Sequence, residues 1–95
     1  MITEFAKVFH IREEDILSRS RKLEIIDVRK MYFFRLHELG FSYSKIGRLS
    51  GFDHVTVLNA VRSVKGRLDI KDKTTEWMYL KAKKIQYPEN VNSNT

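Results

Sequence analysis

Residues 51–62, GFDHVTVLNAVR, gather the side chains of this sequence best suited to chemistry. Asp53 and His54 put a carboxylate beside an imidazole, and serines are plentiful, so acid–base or nucleophilic catalysis is the first possibility to weigh. Neighbours at a helix start point in different directions, however, and no second carboxylate or activated nucleophile converges on this pair. His10, His37 and His54 lack any metal-ligand spacing. The sequence therefore predicts no enzyme, no metal and no cofactor. Recognition fits these residues better. Asp53 can cap a helix by accepting the backbone N–H of Thr56 or its neighbour. Val57, Leu58, Val61, Val64 and Leu68 then recur at helical spacing and form a buried stripe. At about 100° per residue, Val55, Thr56, Asn59, Arg62 and Ser63 fall on the outward side. That side carries a methyl-rich residue, hydroxyls, an amide and a guanidinium, where a merely solvated helix carries mixed charge.

The elements around this helix must position it. Ser42 can cap a short helix over 43–50, with Ile46 and Leu49 facing inward and Gly51 ending it. Phe52 bridges to the next helix. A short helix, a glycine turn and a helix with an outward polar face make a helix-turn-helix, although helical hairpins in any bundle share the pattern. A long helix is expected over 22–39, stopped by Gly40, with Ile25, Val28, Tyr32, Leu36 and Leu39 inward and Ile26 and Phe33 widening that face. Lys22, Arg29, Lys30 and His37 line its remaining surface. Such a line is an ordinary solvated face unless a DNA-reading element lies beside it, in which case it is a phosphate rail. His37 reads as a surface histidine. A basic hinge, SRSRKLE, precedes this helix over 18–24.

Towards the N-terminus, Phe5, Val8 and Phe9 give a short helix over 3–9 behind Thr3 as cap. A second, over 12–18, has Glu13, Glu14 and Asp15 where a helix dipole prefers acids, a better account of them than metal binding. Ile16 and Leu17 anchor it. A last helix over 70–86, stopped by Pro88, offers Trp77, Leu80 and Ile85 for packing, with Trp77 read as core. Lys81, Lys83 and Lys84 near its end suit the helix dipole. Gly66 marks a kink or a point of fraying late in the preceding helix. Residues 1–87 form the expected domain and 88–95 a polar, disordered tail.

At 95 residues the chain is one domain with a modest core. Lysine and arginine outnumber acids 18 to 12, which favours a polyanionic partner, although many proteins are basic without one. There is no cysteine, so disulfides and thiolate chemistry are excluded. No apolar run reaches membrane-spanning length and no signal peptide is evident, so the expected location is cytoplasmic.

The segment LSRSRKLEIIDVRK followed by IGRLSGFDHVTVLNAVR resembles the C-terminal DNA-binding domain of the bacterial replication initiator DnaA. Its most specific parts are Asp53, His54, Thr56, Val57, Leu58, Ala60 and Arg62, together with the run from Asp15 to Arg19 at the right distance before them. The resemblance implies an all-α, compact, Trp-repressor-like domain containing a helix-turn-helix, bound to double-stranded DNA at a short asymmetric site, the DnaA box. It aligns Arg21, next to Lys22, with an arginine that enters the minor groove. It sets Arg29 and Lys30 against phosphate, and Asp53, His54 and Thr56 on the major-groove signature, with Val55, Asn59 and Arg62 on the same face. An aspartate can accept from cytosine N4, a valine can pack on a thymine methyl, and an arginine suits a narrow A·T-rich minor groove. Phe52 stands where the family has a basic residue, Val55 replaces a hydroxyl residue, Asn59 a histidine and Ser63 a lysine. No phosphate-binding loop of the Gly-x-x-x-x-Gly-Lys-Ser/Thr kind occurs, so the expectation is either an excised fragment of an initiator or a stand-alone, nucleoid-associated relative. Met1 at the first helix and the divergence at these positions tilt the expectation to the second. The alternatives are a helix-turn-helix transcriptional regulator, or a protein-interaction module on the same fold in which Phe52 and Val55 form an apolar docking spot.

Overall fold

The computed structural model describes residues 1–85, and all the regular structure among them is helical. In chain order the elements are α1 (Ile2–Phe9), α2 (Glu13–Ile16), α3 (Leu23–Glu38), α4 (Tyr43–Ser50), α5 (His54–Asp69) and α6 (Lys73–Lys83). Helix α3 is the spine and packs against each of the other five. Its apolar residues occupy most of its circumference: Ile25, Val28, Met31, Phe33, Phe34 and Leu36 are all buried, as a helix surrounded by neighbours requires.

Local signals set the boundaries. Ser42 accepts the Lys45 N–H at 3.1 Å and starts α4, and Gly51, at φ 77°, closes it in a left-handed conformation that glycine adopts without strain. Helix α5 continues through Gly66 to Asp69 without interruption at the glycine. An aromatic chain joins α1 to the turn after α4. The Tyr32 ring meets Phe5 and Phe33 at 5.3 and 6.1 Å, and Phe33 meets Phe52 edge-on at 5.5 Å.

Three apolar residues expected inside face solvent instead. Leu49 is 61% exposed, because α4 buries Ile46 and Gly47. At about 100° per residue, Leu49 lies about 110° round from the midpoint of those two. Helix α6 starts at Lys73 rather than residue 70, since Lys71 turns left-handed and Asp72 caps by accepting both the N–H and the hydroxyl of Thr75, at 3.0 and 2.6 Å. The buried stripe is then Thr75, Met78 and Ala82, of which Thr75 and Ala82 are small enough to permit a close approach. Trp77 and Leu80 fall outside that stripe at 56% and 61% exposure, so Trp77 is not core. Ile85 is buried as expected. Helix α6 ends at Lys83, short of the expected residue 86, and the tail over 88–95 lies outside the described residues.

Candidate nucleic-acid interface

The turn between α4 and α5 is set by a close backbone approach. The N–H groups of Gly51 and Phe52 both donate to the Gly47 carbonyl, at 2.8 and 3.0 Å. A Cβ at residue 47 would stand 2.5 Å from the Phe52 carbonyl oxygen, so only glycine fits there. The chain then enters α5 through Asp53, whose Oδ1 accepts the Val55 N–H at 3.4 Å. The same oxygen lies 3.2 Å from His54 Nδ1, so the two side chains meet, contrary to the expectation that they diverge. Both are exposed, and among the described residues no serine hydroxyl bonds that imidazole.

Beyond this cap the expected division of α5 is present. Val57, Ala60, Val61 and Val64 are buried, while His54, Val55, Thr56, Asn59 and Arg62 are exposed. Ser63 is half-buried because its hydroxyl accepts from Lys30 Nζ at 3.4 Å, which ties α5 to α3.

The hinge between α2 and α3 lies beside this surface and is held by backbone-directed side chains. Ser18 Oγ donates to the Asp15 carbonyl at 2.8 Å and accepts the Ser20 N–H at 3.1 Å. Arg29 is only 9% exposed, with Nε donating to the Ile16 carbonyl at 2.7 Å and a terminal nitrogen donating to the Ser20 carbonyl at 3.3 Å. Burial pulls this guanidinium below its ordinary pKa, and the like charge of Arg19 adds to the effect. The expected surface line along α3 is therefore broken at Arg29, whose donors are turned onto the hinge backbone. Lys22 and Arg21 remain exposed. His37 is half-buried, stacked on Tyr43 at 4.3 Å with Nδ1 donating to the Phe41 carbonyl at 2.9 Å.

Phe52 is 8% exposed, seated against Phe33 with its ring under two cations: the Arg19 guanidinium at 4.2 Å and that of Arg29 at 5.3 Å. An apolar docking spot made jointly by Phe52 and Val55 is thereby ruled out, because the phenyl ring is turned into the core. A groove of about 500 Å³ opens above this ring, with Arg19, Arg21, Lys30, Thr56 and Asn59 on its walls. Asp53 and His54 lie in an adjoining depression with Ser44 and Arg48. Lys22, Val55 and Arg62 stand outside both. Sequence reasoning missed three contributors. Gly47 is recognisable only once the turn is folded. Arg48 lies on a helix judged by its apolar residues. Arg19 was part of the hinge, but nothing local ties it to a ring 33 positions on.

With this geometry in place, comparison with known proteins is informative. Residues 1–64 match the family described as the bacterial dnaA protein helix-turn-helix, a span that includes the hinge, α4 and most of α5. The chain is 38% identical over 73 residues to the chromosomal replication initiator protein DnaA of Bacteroides fragilis, covering 74% of this chain and 15% of that protein. It is 32% identical over 72 residues to DnaA 1 of Chlamydia muridarum, covering 75% and 16%. For DnaA of Bacteroides thetaiotaomicron the identity is 38% over 66 residues, covering 67% and 14%. The chain thus spans about 15% of the length of the curated relatives it matches.

Proposed function

Because the chain belongs to the bacterial DnaA helix-turn-helix family, we propose that it binds double-stranded DNA sequence-specifically, at sites resembling those that replication initiators recognise. The observation that carries this reading is the exposed N-terminal face of α5 standing across one groove from the exposed hinge arginines. The N-terminal end of a recognition helix is the end that meets base edges in the major groove. Asp53, His54, Val55 and Thr56 supply an acceptor, an imidazole, a methyl pair and a hydroxyl there, with Asn59 and Arg62 further along. Arg21 enters the neighbouring minor groove, where a narrow A·T-rich segment concentrates negative potential. Lys22 and Lys30 face phosphates. Arg29 works behind them by fixing the path of the hinge. In the cell this reading sets the protein on the nucleoid, in control of replication at an origin.

Fluorescence anisotropy on a DnaA-box duplex and a shuffled duplex, at physiological salt, tests the reading. Binding to the box should be tighter by at least roughly tenfold, and log K for both duplexes should fall linearly with log salt. Equal affinity for the two duplexes would leave only non-specific binding, and a slope near zero would remove nucleic acid as the partner.

A further inference from the structure

Arg19 and Phe52 connect two parts of the reading surface that sequence keeps far apart. Arg19 belongs to the hinge that carries Arg21, and Phe52 to the turn that launches α5. One terminal nitrogen of Arg19 donates to the Gly51 carbonyl at 2.9 Å while its guanidinium plane covers the Phe52 ring at 4.2 Å. A planar guanidinium can lie flat on the ring while its edge donates to the carbonyl, a stacked geometry that a compact ammonium does not reproduce. On the inner side, Arg29 approaches the same ring and holds the Ile16 and Ser20 carbonyls on either side of Arg19. The hinge is thus tied at its base to the core and at Arg19 to the helix-turn-helix.

We propose that the Arg19–Phe52 pair is a register clip, which makes the hinge and α5 one rigid reader and fixes the spacing between the minor-groove and major-groove halves of the DNA site. Arg19 is here a positioning residue acting through Arg21. The inference rests on the DNA-reading function proposed above. It also gives a role to Phe52, an aromatic ring at the place where the family resemblance leads one to expect a cation. The positive charge at this turn comes from Arg19 across the hinge, and the ring seats it.

The consequence is measurable in the spacing of the site. Inserting one base pair between the A·T-rich edge and the base-specific segment moves that edge by about 3.4 Å along the axis and rotates it by roughly a tenth of a turn. A rigid reader cannot follow. The full chain should lose roughly tenfold in affinity on the inserted duplex, and the Arg19→Lys variant less than roughly threefold, because ring stacking and the forked donor are lost while the charge is kept. Phe52→Leu, which keeps an apolar residue against Phe33, should reproduce the Arg19→Lys behaviour. Should Phe52→Leu fail to fold, Arg19→Lys carries the test. An unchanged insertion penalty in Arg19→Lys overturns the clip. So does an Arg19→Ala defect that is equal on both duplexes and restored by lysine, which would make Arg19 a phosphate contact. A second readout needs no DNA. Amide order parameters at Arg21 and Lys22 should be near about 0.85 in the parent and fall below about 0.6 in Arg19→Lys. If the parent shows no site preference at all, the DNA reading fails while this measurement still decides the clip: unchanged order parameters overturn it.

Discussion

Arg19 over Phe52 and Lys81 over Trp77 are the same pairing of a cation with a ring, made on different sides of α3. On the hinge side the ring is buried and the cation comes from a segment 33 residues away, so the contact joins α2, the hinge and the helix-turn-helix. On the α6 side both partners lie on one helix, four residues apart, and the ring is more than half exposed. That pairing covers its own surface and ties nothing together. What a cation–ring contact is worth to a fold depends on its burial, which strengthens it from about 0.5–1 to about 2 kcal/mol, and on what it connects.

Breaking the hinge side should therefore cost more, and Gly47 is the place to break it hardest. Gly47→Ala brings a methyl against the Phe52 carbonyl oxygen, which is backbone and cannot swing aside. A loss of about 1–3 kcal/mol in urea unfolding is expected, along with specific DNA binding, since the turn that launches α5 must shift. Gly66→Ala is the control, because a Cβ there meets open space. It should stabilise α5 by about 0.5–1 kcal/mol. Equal effects at the two glycines would remove the close approach as the reason for Gly47.

The neighbours Arg29 and Lys30 sharpen the comparison next. Arg29→Met leaves the Ile16 and Ser20 carbonyls without their donor and should cost about 1–3 kcal/mol of stability. Lys30→Ala, which removes an ammonium that among the described residues donates to Ser63 at 3.4 Å, should change stability by less than about 0.5 kcal/mol. It should instead make the salt slope of DNA binding shallower by about one unit. If both variants act only on the salt slope, Arg29 is a phosphate contact after all and its burial is incidental to function.

Smaller effects belong to α5 itself. Val55→Ser should lose about 1 kcal/mol of discrimination at one T·A pair, with phosphate contacts intact. Asp53→Asn should relax the preference at a C·G pair and strengthen non-specific binding, because the carboxylate repels phosphate. A base-by-base substitution series at one salt concentration reads both. Retention of the parent's preferences at every position would show that α5 does not read bases.

The sequence made the outward face of α5 legible and the packing of α6 illegible, for physical reasons. In α5 the cap, the valine stripe and the polar face all agree, so periodicity identifies which side is buried. In α6 the two largest apolar residues, Trp77 and Leu80, outweigh Thr75 and Ala82 on any hydrophobicity count. The fold needs the small residues inward so that the helix can lie close to α3. Leu49 misleads in the same way, because the inner face of α4 is decided by a glycine that the turn must pass over. Arg29 shows a third limit. A cation spaced along a helix surface looks solvated until the hinge carbonyls that it serves have been folded beside it.

The smallest expected effect lies on the α6 side and appears only at alkaline pH. Tyr79 packs edge-on against Phe34 at 5.6 Å and donates its hydroxyl to Glu38 Oε2 at 2.7 Å, while Arg35 donates to the other carboxylate oxygen at 2.7 Å. Burial raises the phenol above its ordinary value of 10.0, and the hydrogen bond to Glu38 raises it further. The neutral phenol is thus favoured in the folded chain. Its contribution to stability is complete below about pH 10, the unfolded value, and is lost as pH rises from there through the raised folded value. Lysines titrate in the same range, so the informative quantity is the difference between the parent and Tyr79→Phe. At neutral pH the variant should lie within about 1 kcal/mol of the parent, having lost one solvent-accessible hydrogen bond. Above about pH 10 the gap should narrow, because only the parent has a phenol to ionise. A gap that stays constant across that range would mean that Tyr79 ionises equally in both states and that the Glu38 contact does not hold it neutral.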